Sequence, residues 1–361
     1  MAVSGSASEG HWRGYLTPQN NAYTQLITGA TIMREITYRE ALQEALIEEM
    51  ERDDRVFIMG EDVVVGYGGG GVFGVTKGIA DRFGTDRVID TPLSEVAIAG
   101  AAVGSALLGL RPVAEIMFAD FLSIIMDQLV NNAAKMRWTL NGEWDVPIVY
   151  RTAYGAGIGA GFHHSQSFEA WVAGIPGLKV VMPSDPKDAK GLLKTAIRDN
   201  DPVIFLEHKL LYKRASGPVP EEDYVIPFGK GEIKREGSDL TIVATGAMVK
   251  LAIEAADALA KRGVSAEVVD PRTLQPLDEE IIVESVKKTG RAVIVGEAPA
   301  FCSFASEIAA ILADKAIDYL DGPVKRVGSL FTPIPNWIEM EKYYLPSVQK
   351  ILDAAGEVIR Y

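Results

Sequence analysis

Leu240-Thr-Ile-Val-Ala-Thr-Gly246, a helical pattern to Lys261, Ala266-Glu-Val-Val-Asp270, a second helical pattern to Lys288 and Ala292-Val-Ile-Val-Gly296 follow one another without interruption. Each short run is a β-branched block, too continuously apolar for a strand with one wet face. Strands buried on both faces and joined through helices are parallel, so the stretch spells successive β-α-β units. The same alternation lies upstream, where helical patterns separate Arg55-Val-Phe-Ile-Met59, Pro147-Ile-Val-Tyr-Arg151 and Leu178-Lys-Val-Val-Met182. Between the two series, Ser216-Gly-Pro-Val-Pro-Glu-Glu-Asp223 is polar, holds two prolines and has no apolar period. The expected class is α/β with two doubly wound domains, residues 33–212 and a smaller one at 232–361, joined by a linker at 213–231.

Residues 1–32 are rich in Ser, Gly, Asn and Gln, lack the apolar core of a signal peptide and are read as a disordered leader. Thr37 and Glu40 have capping-box spacing ahead of an amphipathic run, which places the start of the fold near Met33. An apolar content of 48% over 361 residues suffices for two cores. The net charge of -13 repels polyanions and argues against nucleic acid as a partner. One cysteine, Cys302, allows neither an internal disulfide nor a multi-cysteine metal site, which fits a reducing, cytoplasmic setting. The longest apolar run, Val96 to Leu110, is too short for a bilayer and is read as a buried helix, so no membrane association is expected.

Three stretches carry candidate chemistry. Gly66-Tyr-Gly-Gly-Gly-Gly71 matches a dinucleotide fingerprint with Asp90 as its acid, yet the glycines come too early to open the next helix. A surface loop or lid is the better reading there. In Asp90-Thr-Pro-Leu-Ser-Glu95-Val-Ala-Ile-Ala-Gly100, an acid in a first helical turn complements the helix dipole whatever its function. The residues after Glu95 are nearly all apolar, however, so the helix would carry the carboxyl inward, where it needs a partner such as a ligand ring nitrogen. Gly155-Ala-Gly-Ile-Gly-Ala-Gly161-Phe-His-His164-Ser-Gln-Ser167 leads alternating glycines into two of the chain's four histidines. A lone histidine is usually structural, and a metal reading finds only Glu207 and His208 as weak further ligands. Glycines that admit a ligand, followed by a titratable ring, favour an active-site loop.

Six ordered motifs, Gly60-Glu-Asp, Asp90-Thr-Pro-Leu-Ser-Glu95, Arg111-Pro-Val-Ala-Glu-Ile-Met-Phe-Ala-Asp-Phe121, His164-Ser-Gln, Ala189-Lys-Gly-Leu-Leu and Ala196-Ile-Arg-Asp-Asn-Asp-Pro202, complete the picture. Together they resemble the beta subunits of 2-oxo acid dehydrogenases and acetoin dehydrogenase, in the transketolase-like thiamine-diphosphate superfamily, from about Met33 to Tyr361. The resemblance implies a pyrimidine-binding domain followed by a transketolase C-terminal-type domain. It places Glu95 on the cofactor's pyrimidine nitrogen, a contact that prepares deprotonation of the thiazolium ring and attack on a 2-oxo carbon. It stacks Phe121 on the pyrimidine and lines the same pocket with Met117. It points His164 at the lipoyl group that receives the acyl product, a task suited to a ring that exchanges protons near neutrality. Ile148, Ala196, Asp199 and Asp201 match positions whose backbone carbonyls hold potassium in some members.

The superfamily's Gly-Asp-Gly motif for magnesium and diphosphate is missing from the sequence. By the family's mode, the cofactor is therefore shared with an alpha subunit that holds the magnesium. The implied assembly is an α2β2 heterotetramer docked on a lipoyl-bearing acyltransferase core. Its substrate is a small 2-oxo acid such as pyruvate, with acetoin as the alternative; Phe118-Ala-Asp-Phe121-Leu, Asp201-Pro-Val-Ile-Phe-Leu-Glu-His-Lys209 and Phe331-Thr-Pro-Ile-Pro335 look closest to the acetoin and bacterial pyruvate branches. Two rivals of other kinds are an NAD-dependent dehydrogenase using the glycine-rich loop and a non-catalytic scaffold subunit that keeps the fold.

Overall fold

A computed structural model describes residues 32–66 and 69–361, so nearly all of the expected leader, together with Tyr67 and Gly68, lies outside the described residues. The first half runs β1 (Met33–Thr37), α1 (Tyr38–Arg52), β2 (Val56–Gly60), α2 (Ile79–Phe83), β3 (Val88–Asp90), α3 (Glu95–Leu107), β4 (Arg111–Phe118), α4 (Ala134–Thr139) and β5 (Val149–Tyr154). It continues through α5 (Glu169–Ala173), β6 (Lys179–Val181), α6 (Pro186–Arg198), β7 (Val203–His208), α7 (Leu211–Arg214) and β8 (Ser216–Pro220). Then come β9 (Glu232–Arg235), β10 (Leu240–Ala244), α8 (Met248–Ala260), β11 (Ala266–Asp270), β12 (Thr273–Gln275), α9 (Glu279–Thr289) and β13 (Ala292–Pro299). The chain closes with α10 (Phe304–Lys315), β14 (Lys325–Ser329), α11 (Ile338–Tyr344) and α12 (Val348–Ile359).

Local chemistry sets the helix starts. At α1 the Glu40 N–H donates to the Thr37 hydroxyl at 3.2 Å and the Thr37 N–H donates back to the Glu40 carboxylate at 2.8 Å, which satisfies two donors the helix leaves orphaned. Asp185 caps α6 by accepting from the Asp188 N–H, with Pro186 in the first turn, where its missing N–H costs nothing.

The larger sheet has the order β12-β6-β7-β5-β4-β2-β3 and is parallel except for β12, and the smaller has the order β14-β13-β10-β11-β9 and is parallel except for β9. Helices α1 and α6 pack on one face of the larger sheet around Leu42, Leu46, Ile58, Val113 and Leu193. On its other face, α3 shares a core with α9 and α10 that runs on into the smaller sheet. Helices α8 and α12 cover the far face of the smaller sheet.

Three expectations change here. The segment expected as a linker contains β8, which pairs antiparallel with β1 in a separate two-stranded ribbon. Pro218 and Pro220 are tolerated because such a ribbon asks nothing of their missing N–H groups. Strand β12, from the second half, joins the larger sheet beside β6. Helix α3 is half buried rather than buried: Ile98, Ala99, Ala102, Val103 and Ala106 face the core, while Val96 is 46% exposed and Leu108, just past the helix, 85%. No helix among the described residues is long and apolar enough to cross a membrane.

Candidate active site

Parallel strands present their carboxyl ends along one edge of the sheet, and open α/β sheets bind ligands there. Gly60 pairs with Asp90 at the ends of β2 and β3, and the loops beyond them carry Glu61 and Glu95. The loop after β4 is a single 3-10 turn, Ala119–Ser123, bearing Phe121. Strand β5 runs out into the alternating glycines that lead to His164, and β7 ends in His208 and Lys209.

Asp90 holds the glycine-rich loop in place. Its carboxylate accepts from the Val64 N–H at 2.7 Å and from the Val65 N–H at 3.0 Å, so the acid a dinucleotide site would need is already engaged. The loop makes turns as far as Gly78, and only the five-residue α2 follows. These facts remove the physical basis of the NAD reading.

Glu95 sits in the first turn of α3, partly exposed, with no hydrogen-bond partner for its carboxylate among the described residues. Glu61 is 7% exposed, and its buried Oε1 has no partner. Burial, and next the charge of Glu95, push the Glu61 carboxyl up to about 7. Neither carboxyl has a cation or a donor among the described residues, which leaves both open to a nitrogen heterocycle.

An aromatic cluster surrounds His164. The His164 ring stands edge-on to Phe118 at 4.3 Å between centroids and to Phe121 at 5.6 Å. Asp120, buried, accepts from the Gln166 side-chain amide at 2.9 Å and its Oδ2 has no partner. Lys209, only 4% exposed, donates to the His164 carbonyl, and its ammonium lies 5.4 Å from the centre of the Phe118 ring. Burial lowers its pKa to about 8. His163 is exposed and leans on Phe162, away from this group.

The other sequence candidates fall elsewhere. Met117 is 5% exposed and packs in the α1/α6 core, against which Phe118 and Phe121 also pack. Ile148, Ala196, Asp199 and Asp201 do gather at the turn between α6 and β7 and the start of β5. There the Ile148 carbonyl accepts from Val203, that of Ala196 from Asp199, and that of Asp199 from the Arg111 guanidinium. Lys179 binds both aspartate carboxylates and Arg137 binds that of Asp201. Glu207 binds Arg151 through both oxygens at 2.7 and 2.8 Å, and His208 binds Glu297 at 2.5 Å, so neither is free for a metal. Away from the site, Asp185, Asp188 and Glu232 cluster, but Lys234 and Arg272 neutralise them.

Sequence reading assigns no role to Glu61, Asp120 or Lys209, although all three stand inside quoted stretches. For the first two the signal is an acid just past a strand end, where a helix dipole or a turn explains it equally well.

Comparison with known proteins gives this edge its context. Residues 34–214 match the transketolase pyrimidine-binding domain and residues 229–351 the transketolase C-terminal domain. The chain is 47% identical to the 2-oxoisovalerate dehydrogenase subunit beta of Bacillus subtilis, covering 91% of this chain and 100% of that one. It is 48% identical to the acetoin:2,6-dichlorophenolindophenol oxidoreductase subunit beta of the same organism (90% and 98% covered) and 46% to its pyruvate dehydrogenase E1 component subunit beta (91% and 100%). A solved split-gene transketolase, described as an inactive beta4 tetramer, shares the fold with a TM-score of 0.72 at 24% identity, over 90% of this chain and 98% of that one. By these matches the chain belongs to the transketolase-type family of beta subunits of thiamine-diphosphate-dependent 2-oxo acid dehydrogenases.

Proposed function

We propose that this chain supplies the pyrimidine-binding half of an active centre that decarboxylates a small 2-oxo acid and passes the acyl group to a lipoyl arm. The observation that carries the reading is the partnerless Glu95 carboxylate beside Glu61, on the same sheet edge whose loops bear Phe121 and His164. That set of groups suits an aminopyrimidine, which offers ring nitrogens to the acids and a face to the phenyl ring. When bound, thiamine diphosphate supplies a carbanion nucleophile for the 2-oxo carbon. Glu95 would hold or release the proton shared with the pyrimidine nitrogen, and Phe121 would orient the ring. His164, fixed through its carbonyl by Lys209, offers an imidazole to the acyl acceptor.

An alpha subunit completes the site. It brings the magnesium and diphosphate contacts for which this sequence has no Gly-Asp-Gly motif, in an α2β2 assembly that docks on a lipoyl-bearing acyltransferase core. The bare apolar face of α3, with Val96 and the adjoining Leu108 exposed, supports a protein partner covering that side. Relatives named for branched-chain, acetoin and pyruvate enzymes stand at nearly equal identity, so the reaction class is proposed without a substrate side chain.

Calorimetry tests the shared site. The isolated chain with magnesium should show no micromolar binding of thiamine diphosphate, and adding the alpha subunit should bring binding and decarboxylation together. Micromolar or tighter binding to the chain alone would overturn the proposal.

A further inference from the structure

We propose that Glu341, on α11 of the C-terminal half, is a positioning residue that pins the glycine loop carrying His164 into the active site. The inference rests on the reading of His164 as the group that meets the acyl acceptor. Glu341 is 0% exposed, and its Oε2 accepts from the Gly157 N–H at 3.0 Å and from the Gly159 N–H at 2.8 Å. Gly155, Gly157, Gly159 and Gly161 all have positive φ, and such alternation turns successive N–H groups to one side, as in an anion-binding nest. Here the anion comes from the other half of the chain.

The rest of the loop is fastened from the same direction. Glu297 of β13 accepts from the Ala156 N–H at 2.7 Å and from the Ser167 hydroxyl at 3.3 Å, and its second oxygen binds His208. A Cβ at Gly161 would collide with the Asn336 side chain, just ahead of α11. A buried carboxylate is costly unless its bonds are made, and charge-assisted bonds to N–H groups are about twice as strong as neutral ones. Glycines lose the most backbone freedom on ordering, so without the clamp this loop would be the first part of the site to loosen. Misplacing a reacting group by about 1 Å can cost about 10²-fold in rate, which is the scale on which the clamp acts.

The test uses the reconstituted α2β2 complex. Glu341→Gln can put its oxygen where Oε2 sits and its amide where Oε1 has no partner, so it keeps the loop geometry. Glu341→Asp withdraws the carboxylate by one methylene, and Glu341→Ala removes it. In the Ala variant, kcat for acylation of a lipoyl domain should fall by about 10²-fold at unchanged KM, while turnover with an artificial electron acceptor stays within about threefold. The Asp variant, which also serves if Ala does not fold, should fall between Ala and wild type, and Gln should stay close to wild type. Amide hydrogen exchange over residues 155–167 should accelerate in the same order, and the His164→Ala/Glu341→Ala double variant should acylate no more slowly than His164→Ala alone.

Unchanged exchange in the Ala and Asp variants would overturn the clamp. Faster exchange with intact acylation, or equal losses in both assays, would overturn the positioning role. If His164→Ala itself spares acylation, the reading of His164 is what fails, while the exchange data still decide whether Glu341 holds the loop.

Discussion

Two groups of carboxylates lie along the larger sheet, one buried in its middle and one at its strand ends, and they are surrounded differently. In its middle, Arg151 of β5 is held between Glu115 of β4 and Glu207 of β7, and Tyr212 donates to Glu207 at 2.7 Å. Burial raises the Glu115 carboxyl, and the Arg151 charge works against that rise without reversing it. At the strand ends, Glu61 has no such cation, and the Glu95 charge adds to the effect of burial. The first group is a closed account of charge and donors, and it makes structure. The second is open, and an open set of polar groups at the carboxyl edge of a sheet is where a ligand belongs.

The strongest way to break the comparison is to remove the function of an open carboxylate without changing its shape. In the complex with its alpha subunit, Glu95→Gln should slow exchange of the cofactor's reactive ring proton, and all turnover after it, by about 10² to 10⁴-fold. Thermal stability should hardly move, because none of the described residues is bonded to that carboxylate. An unchanged exchange rate would remove Glu95 from the chemistry.

The closed group should respond in the reverse manner. Arg151→Leu leaves Glu115 and Glu207 buried without their counter-ion, and breaking such a set costs about 3–5 kcal/mol. Denaturant titration of the isolated chain should show this at pH 7. The loss should be smaller near pH 5, where the stranded carboxyls accept protons. A loss below about 1 kcal/mol would mean that the sheet does not depend on the triad.

How legible these features were in the sequence follows from what kind of signal each leaves. Strands β10, β11 and β13 are continuous β-branched blocks and stand out, as does the Thr37 and Glu40 cap. Strand β8 was hidden by its prolines, which argue against strand until a two-stranded ribbon supplies the exception. Helix α3 misled because an apolar run reads the same whether it faces its own core or a partner, and only Val96 and its exposed neighbours show which. Glu95 and His164 stood out by their neighbours in sequence. Glu341 did not, because the loop it holds lies 184 residues from it in the chain, and such pairings leave no local pattern. Ile148, Ala196 and Asp199 would act through backbone carbonyls, which any side chain can accompany, so their hydrogen bonds had to be seen.

The smallest expected effect is the sharpest test of the comparison, because it asks whether Glu61 is truly open. Its carboxyl titrates near 7 in the folded chain, above the ordinary 4.5. A raised acid favours the protonated fold, so its contribution is fully present below about 4.5 and is lost as the pH rises through about 7. Glu61→Gln cannot ionise. The variant should therefore match wild type near pH 4.5, lack this part of the decline between 4.5 and 7, and be the more stable of the two at pH 8. The gain should be on the order of 1 kcal/mol, well below the full worth of the shift because water at the open strand edge screens the charge. Denaturation midpoints across that pH range decide it. A variant less stable than wild type at pH 8 would mean that the ionised Glu61 has a partner within the fold, and the contrast between the closed and open groups would then fail at the residue on which it most depends.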